Sequence, residues 1–357
     1  MFTMQARNEY PRPQLERENW ICLNGEWEYR FDFSKSGDEQ DWKNAAAFDG
    51  RINVPFCPES RLSGVGYTDF IEMMWYRRDL AVPADWNGKK ILLHFGGVDY
   101  RCRIYIDGKE AGRHTGGSAA FAVDLTRFVE AGKTHNLVVR VEDDTRSGLQ
   151  PLGKQCTALN SRACSYTRTT GIWRTVWMEA VDPHALKNCR IIPDYDNGAF
   201  IFLPEFYAVR RGLEFTIAIL DRGTEVRSQT VKAGSGAFTL KLDLPKEWNP
   251  EDPFLYDIVY TLRDENGREL DRVRSYAGLR KIHLENGRCY LNNQPIFLRF
   301  VLDQGFYEDG IWTAPDDAAL RRDIELSQQA GFNGARLHQK CFDDRFHYWA
   351  DKLGYLT

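Results

Sequence analysis

Four polar residues follow two short apolar segments near the end of the sequence. Asp303 and Gln304 come after the first segment, and Arg336 and His338 close the second. A guanidinium group in such a place can donate hydrogen bonds to a ligand or keep a nearby carboxylate ionised. The alternatives are a core arginine in a salt bridge and a core histidine with satisfied nitrogens. We take these four residues as candidate ligand contacts.

Three pairs of adjacent aspartates are the other residues that suggest acid–base chemistry. Asp316–Asp317 and Asp343–Asp344 each precede an amphipathic segment, where acidic side chains stabilise the start of a helix. We therefore interpret both pairs as structural. Asp144, together with Asp143, follows a predicted strand, and it is either part of a turn or a further ligand contact.

The eight cysteines do not favour a metal site. No two of them form a C-x-x-C pair, and the closest two are Cys156 and Cys164. Zinc sites need short paired spacings, so we predict no metal and no cofactor, and leave open a divalent or monovalent ion in a longer form of the protein. Because the N-terminal residues lack the apolar segment of a secretory signal, we expect reduced thiols and a cytoplasmic location.

The overall composition limits the partners. Lys plus Arg (47) and Asp plus Glu (51) nearly balance, which gives a formal net charge of -4. A balanced chain has no electrostatic footprint for a polyanion, so we do not expect a nucleic-acid partner. No apolar run approaches the ~18 residues of a membrane span, so we expect no membrane contact. A homo-oligomer stays open.

The pattern of strands and turns divides the chain into three parts. Residues 1–182 and 183–279 alternate apolar with polar residues in short segments between turns, which is typical of antiparallel β-sandwiches. Asp107 and Gly108 mark a two-residue hairpin turn in the first part. The second part, at about 95 residues, fits an immunoglobulin-like sandwich.

Residues 280–357 follow a different pattern. The apolar run 296–301 predicts a strand that is buried on both faces. Thr313 is the predicted N-cap of the next helix, with Pro315 in its first turn. A short strand and a second amphipathic helix follow. The order strand, helix, strand, helix, strand predicts the opening of an α/β fold.

A series of motifs, in this order along the chain, resembles glycoside hydrolase family 2, the group of β-galactosidases, β-glucuronidases and β-mannosidases. The motifs are Leu23–Glu28, Val54–Phe56, Trp75–Arg78, His94–Tyr100, Thr170–Trp177, Tyr290–Pro295, Gly331–His338 and Asp351–Tyr355. The resemblance implies a mainly β chain: a jelly-roll-like sugar-binding β-sandwich, an immunoglobulin-like β-sandwich, and the first βα units of an incomplete (β/α)8 TIM barrel.

The resemblance also implies a carbohydrate substrate. Enzymes of this family hydrolyse terminal β-glycosidic bonds by a retaining mechanism with two glutamates, and a β-galactosidase-like activity is the first expectation. Chemistry in a TIM barrel lies at the carboxyl ends of the strands. In this family the segment that follows the predicted strand 136–141 can also lie near that site. The expected sugar contacts are Asp144, Asp303, Gln304, Arg336 and His338.

Neither the acid/base nor the nucleophile glutamate motif can be placed in the sequence. Two βα units cannot close a barrel. We therefore expect the chain to be the N-terminal part of such an enzyme and to be inactive alone. The alternative hypothesis is a carbohydrate-binding β-sandwich protein without catalysis.

Overall fold

The computed structural model describes residues 6–234 and 236–357 of the protein, so the first five residues of the predicted first domain lie outside the described residues. The described chain is mainly β, and its two α-helices both lie after residue 316. None of its helices is long and apolar enough to cross a membrane. Short 3₁₀ helices span Pro13–Leu15, Trp42–Asn44, Arg61–Ser63, Ala84–Trp86 and Tyr195–Asn197.

The first part is an antiparallel sandwich. Its strands are β1 Trp20–Cys22, β2 Gly25–Phe31, β3 Gly50–Val54, β4 Met73–Ala81, β5 Lys90–Phe95, β6 Val98–Asp99, β7 Arg101–Ile106, β8 Lys109–Thr115, β9 Phe121–Asp124, β10 Thr134–Glu142, β11 Gly171–Ile172 and β12 Val176–Val181. One sheet has the order β3-β2-β4-β10-β7-β8 and another has the order β1-β12-β5-β9, while β6 pairs with β11. Alternate side chains of the strands, among them Trp27, Val139 and Met178, form the core between the sheets.

The predicted hairpin turn of the first sandwich is confirmed. Asp107 and Gly108 connect β7 to β8, and both have positive φ angles, of 47° and 75°. Two residues in this conformation give the turn a twist that matches the twist of the strands.

The second part is a smaller antiparallel sandwich of the immunoglobulin-like class. Its strands are β13 Leu186–Asp194, β14 Ala199–Phe206, β15 Glu214–Asp221, β16 Thr224–Lys232, β17 Phe238–Lys241, β18 Tyr256–Arg263 and β19 Glu269–Ala277. The sheet β13-β14-β17 packs on the sheet β16-β15-β18-β19. Aromatic residues contribute much of the core, with Phe215 stacked on Tyr260 at 5.7 Å between ring centroids.

The third part begins with a small sheet and continues as two βα units. Its elements are β20 Ile282–Glu285, β21 Arg288–Leu291, β22 Gln294–Pro295, β23 Phe300–Asp303, α1 Asp317–Gln329, β24 Gly334–Leu337 and α2 Asp344–Leu353. β23 and β24 pair in parallel, with α1 between them in the sequence, and Gly334 forms a further parallel bridge to Leu356. This is the start of the predicted barrel.

Two details of the third part differ from the sequence prediction. The run 296–301 is not a buried strand: pairing begins at Phe300, and Phe297 is 77% exposed. The segment has too few neighbours to cover it. The N-cap of α1 is Asp316, whose Oδ1 accepts from the Ala319 N–H at 2.8 Å, whereas Thr313 uses its hydroxyl to donate to the Trp173 carbonyl at 2.5 Å.

Candidate functional site

The two faces of the β23–β24 sheet have different environments. Val301, Ala335 and Leu337 belong to the apolar cluster beneath α1 and α2. Since side chains alternate along a strand, Leu302 and Arg336, which are register partners, lie on the opposite face. Both are exposed there. Arg336 therefore lies on the open face of the sheet, at its carboxyl end.

Asp303 ends β23 on the face toward the helices. Its Oδ1 accepts from the Gly305 N–H at 2.7 Å, and it lines a cleft of about 240 Å³ with Asp323 and Phe346. Burial raises the pKa of Asp303 above its ordinary value. The Asp303 carbonyl accepts from the His338 N–H at 2.8 Å, so the two strand ends are joined through the backbone.

Three side chains in the segments that follow β23 and β24 have a buried polar atom without a hydrogen-bond partner in the described part of the chain. The atoms are Gln304 Oε1, Trp312 Nε1 and His338 Nδ1. Trp312 packs edge-on against Trp173 of the first sandwich, with 5.0 Å between ring centroids. Buried polar atoms without partners are costly and uncommon. A polar ligand with donors and acceptors is one kind of partner for such atoms.

Lys340 joins the segment after β23 to the segment after β24. Its Nζ donates to the carbonyls of Gln304 and Gly305, at 2.7 and 2.6 Å. The rings of Phe306, Trp312 and Phe342 surround the amine at 4.8, 4.9 and 5.2 Å. Burial, and then the charge of Arg174, lower the pKa of Lys340 to about 7.

Residues 143–170 of the first sandwich reach the same place. Tyr166 contacts Phe306 with 4.4 Å between ring centroids. Gly153 lies so close to the barrel start that a Cβ there would stand 3.0 Å from the Gln339 carbonyl oxygen, and its φ of 57° also favours glycine. The site thus lies at the junction of the first sandwich with the third part.

His338 lies between positive charges from both sides of this junction. Loss of solvation, followed by the charges of Lys154 and Arg336, lowers the pKa of His338 below its ordinary value. A neutral imidazole can both donate and accept a hydrogen bond. At neutral pH His338 can therefore contact a ligand hydroxyl in either role.

Asp144 lies at the root of the 143–170 connection. Its Oδ1 accepts from the Arg146 N–H at 3.2 Å, and its carbonyl accepts from the Ser147 hydroxyl at 2.8 Å. These are the contacts of a turn residue. Its neighbour Asp143 is buried and accepts from the Thr170 hydroxyl at 2.8 Å. Substrate contact by Asp144 stays a prediction.

The structure brings together Gln304, Arg336 and His338, and places Asp303 on the other face of the sheet. The sequence interpretation missed Trp312 and Lys340. The sequence signal for Lys340 is its position two residues after His338, which ends the motif Gly331–His338. Trp312 lies in a segment without regular structure. No group of three or more His, Cys, Asp or Glu residues in 6–234 and 236–357 is arranged to hold a metal ion.

Comparison with known proteins places these features in a family. The profile "Glycosyl hydrolases family 2, sugar binding domain" matches residues 21–180, and the profile "Glycosyl hydrolases family 2" matches residues 210–280. The chain is 28% identical over 291 residues to a putative β-glucuronidase of Formosa agariphila, covering 79% of this chain and 34% of that protein. It is 27% identical over 309 residues to a β-galactosidase of Thermoanaerobacter pseudethanolicus, covering 81% of this chain and 39% of that protein.

Solved structures agree on the fold. A β-glucuronidase of Ruminococcus gnavus superposes with a TM-score of 0.81 at 21% identity, over 98% of this chain and 59% of that one. The chain therefore spans about a third to three fifths of the length of these relatives. Since the two family profiles match its two sandwiches in order, and the fold agrees along its length, the chain belongs to glycosyl hydrolases family 2.

Proposed function

We propose that the chain supplies one side of the sugar site of a retaining β-glycosidase that hydrolyses terminal β-glycosidic bonds. The observation that carries this proposal is the set of unpartnered buried atoms on Gln304, Trp312 and His338. Gln304 and His338 directly follow two parallel strands, at the carboxyl ends where barrel enzymes place their sites, and Trp312 lies in the segment between β23 and α1. Sugar hydroxyls donate and accept hydrogen bonds, so a pyranose carries the kind of partner that these atoms lack.

In this proposal, the two catalytic glutamates belong to a part of the protein beyond these 357 residues. A retaining mechanism needs two carboxyl groups about 5–5.5 Å apart across the scissile bond. At the two strand ends the carboxyl group present is that of Asp303, which faces the helices. The chain also spans only 34% and 39% of two relatives. We therefore expect the chain alone to bind sugar without hydrolysing it.

Two substrate classes are in question. The sequence motifs favoured a β-galactoside, and the relatives named above include a β-galactosidase and a putative β-glucuronidase. Both sugars have the ring hydroxyls that the three unpartnered atoms require.

The test compares the 357-residue chain with a form extended to the length of its relatives. We expect the extended form to release the aryl group from an aryl β-galactoside or β-glucuronide, and the shorter chain to release none. Lys109→Gln, a change at an exposed residue of the first sandwich, is the control and should leave turnover unchanged. No turnover of either glycoside by the extended form would contradict the proposed activity, and turnover by the shorter chain would contradict the assignment of the glutamates.

A further inference from the structure

Three carboxyl groups are buried together in the first sandwich, beneath the 143–170 connection. Glu59 is 3% exposed, and Asp99 and Asp143 are each 2% exposed. Thr170 joins two of them, because its N–H donates to Glu59 at 3.1 Å and its hydroxyl donates to Asp143 at 2.8 Å. We call the three acidic residues the carboxyl cluster.

The carboxyl cluster lacks a cationic partner in the part of the chain that the structure describes, where no Lys, Arg or His nitrogen lies within 4.0 Å of its oxygens. The neighbouring Arg168 donates instead to the carbonyls of Cys156 and Ala158, at 3.1 and 2.7 Å. Within the same residues, Glu59 Oε1 and Asp99 Oδ1 have no hydrogen-bond partner. Since both side chains are enclosed, a cation from outside can reach these atoms only by displacing the connection.

The other ionisable side chains around the cluster do not neutralise it. Burial raises the pKa of Cys57 and of Tyr76 above their ordinary values, so both border the cluster as neutral groups up to about pH 8. Asp144 adds a negative charge beside Asp143. Burial, followed by the charge of Asp143, raises the pKa of Asp99 well above its ordinary value. The surroundings therefore favour a cluster that retains protons.

The cluster also anchors the connection to the sandwich. The Gln155 amide donates to Asp99 at 2.7 Å, and the Gln150 amide donates to Asp143 at 2.6 Å. Residues 144–169 contribute no member to the apolar core clusters of the described chain. A segment with few buried apolar contacts opens at a low cost in free energy. The attachment of the connection thus depends on polar contacts, and two of these end on the cluster.

We propose that protons shared by Glu59, Asp99 and Asp143 hold the 143–170 connection on the sandwich, and that the connection detaches when rising pH removes them. A fully ionised cluster would place three buried negative charges together without a counter-charge. Detachment exposes the cluster to water, and at least one proton passes from a carboxyl group to the solvent. Because the attached form binds more protons, its stability is complete below about pH 4.5 and is lost as the pH rises toward about 8.

Detachment would change the candidate site. Tyr166 of the connection lies 4.4 Å from Phe306 between ring centroids, and Gly153 lies against the Gln339 carbonyl. The pH therefore acts on one wall of the site through carboxyl groups that are enclosed within the sandwich. The inference does not depend on the proposed glycosidase activity, because it concerns the attachment of a segment and not the chemistry of a ligand.

The test is amide hydrogen exchange of the purified chain, measured by mass spectrometry and corrected for the pH dependence of the intrinsic exchange rate. The readout is the peptide that contains the N–H groups of Thr169 and Thr170, which donate to Gln155 and Glu59. Release of one proton raises the equilibrium constant for detachment about tenfold per pH unit. We therefore expect the protection of this peptide to fall at least about tenfold between pH 6 and pH 8. Strand β18 of the second sandwich is the internal reference and should lose less protection.

Two substitutions that each remove one charge test whether the cluster is the cause. Asp99→Asn and Glu59→Gln keep the size of the side chain, and each should reduce the fall in protection at least about threefold. Asp32→Asn is the matched control, because Asp32 is 1% exposed in the same sandwich and accepts from the Ser36 and Gly37 N–H groups at 2.9 Å. It should leave the fall unchanged. The pH dependence of the wild-type chain stands as a test even where a variant fails to fold.

Three results would overturn the inference. Protection of the Thr169–Thr170 peptide that stays constant between pH 6 and pH 8 would show that the connection does not detach. An equal fall in this peptide and in β18 would show that the whole chain unfolds and not the connection alone. A wild-type pH dependence in both Asp99→Asn and Glu59→Gln would show that other groups release the protons.

Discussion

Two junctions between domains bury polar groups, and they differ in how these groups are satisfied. Between the two sandwiches, Arg17 donates to both oxygens of Asp271 at 2.9 Å and to Glu179 at 3.3 Å. Between the first sandwich and the barrel start, Gln304 and Trp312 retain buried atoms without partners. The first junction leaves the Arg12 Nε atom beside Glu179 without a partner as well, but its other polar groups are paired with opposite charges. The unpartnered atoms of the second junction are the ones that the proposed sugar site uses.

The same contrast separates two buried glutamates. Glu179 has Arg17 and Arg12 beside it, and His94 lies 3.1 Å from its Oε1. Although burial opposes ionisation, these partners lower the pKa of Glu179 to about 2. Glu59 accepts from the Thr170 N–H at 3.1 Å, and its Oε1 has no hydrogen-bond partner among the described residues. Burial raises the pKa of Glu59 to about 8.

Arg17→Ala should produce the largest effect, because it removes the shared partner of the sandwich junction. Glu179 and Asp271 would remain buried with a charge and fewer donors. Breaking one partner of a buried ion pair costs about 3–5 kcal/mol. We expect the free energy of unfolding, measured in urea, to fall by that amount.

Arg274→Ala is the matched control for that experiment. Arg274 pairs with Glu16 at 3.0 Å on the surface of the same junction, with its side chain 56% exposed. An exposed pair contributes about 0–1 kcal/mol. Equal effects of the two substitutions would show that burial does not separate the roles of these arginines.

The sequence alone predicted the order of the three parts, because period-2 alternation and turn residues are local signals. The Asp107-Gly108 hairpin is one case, since its two residues suffice to determine the turn. The same local reasoning wrongly predicted Thr313 as the helix cap. Asp316 accepts from the Ala319 N–H, whereas the Thr313 hydroxyl donates to the carbonyl of Trp173, which is distant in the sequence.

The candidate site was predictable only in part for a similar reason. Arg336 and His338 lie at the end of β24, so sequence position was enough to make them candidates. Trp312 and Lys340 matter because of contacts with Trp173 and with the Gln304 carbonyl. The side of the sheet that Asp303 faces depends on where β23 begins, which the apolar run 296–301 did not reveal. Pairing between distant segments leaves no local pattern.

The next largest effect concerns Glu59 and Glu179, which should change how stability depends on pH. The folded form holds the Glu59 proton up to about pH 8, whereas the unfolded chain releases it near 4.5. The folded form therefore binds more protons in this window, and Glu59 destabilises it as the pH rises from about 4.5 to 8. In the wild-type chain the free energy of unfolding should therefore fall between pH 5 and pH 8, and Glu59→Gln should reduce this fall by roughly 3 kcal/mol. Urea unfolding at the two pH values measures it.

Glu179→Gln should act in the opposite window. The folded pKa of Glu179 is depressed to about 2, so its contribution is present above about pH 4.5 and is lost as the pH falls toward 2. The substitution should flatten this acid limb and leave the slope between pH 5 and 8 unchanged. If Glu59→Gln and Glu179→Gln changed the pH dependence of stability in the same way, the number of charged partners would not explain the difference between Glu59 and Glu179.

Gln304→Leu should have the smallest effect on stability and should separate the two junctions most clearly. Within the described part of the chain its Oε1 has no partner. An apolar side chain of similar size therefore removes a desolvation cost, and we expect the free energy of unfolding to change by less than about 1 kcal/mol. Sugar binding, measured by calorimetry, should nevertheless be lost.

Gln155→Leu is the matched comparison, because the Gln155 amide donates to Asp99 at 2.7 Å and accepts from the Thr169 N–H at 2.8 Å. That variant should lose about 2–4 kcal/mol, since two buried groups lose their partners. If Gln304→Leu destabilised the chain as much as Gln155→Leu, Gln304 would belong to the scaffold and not to the ligand site.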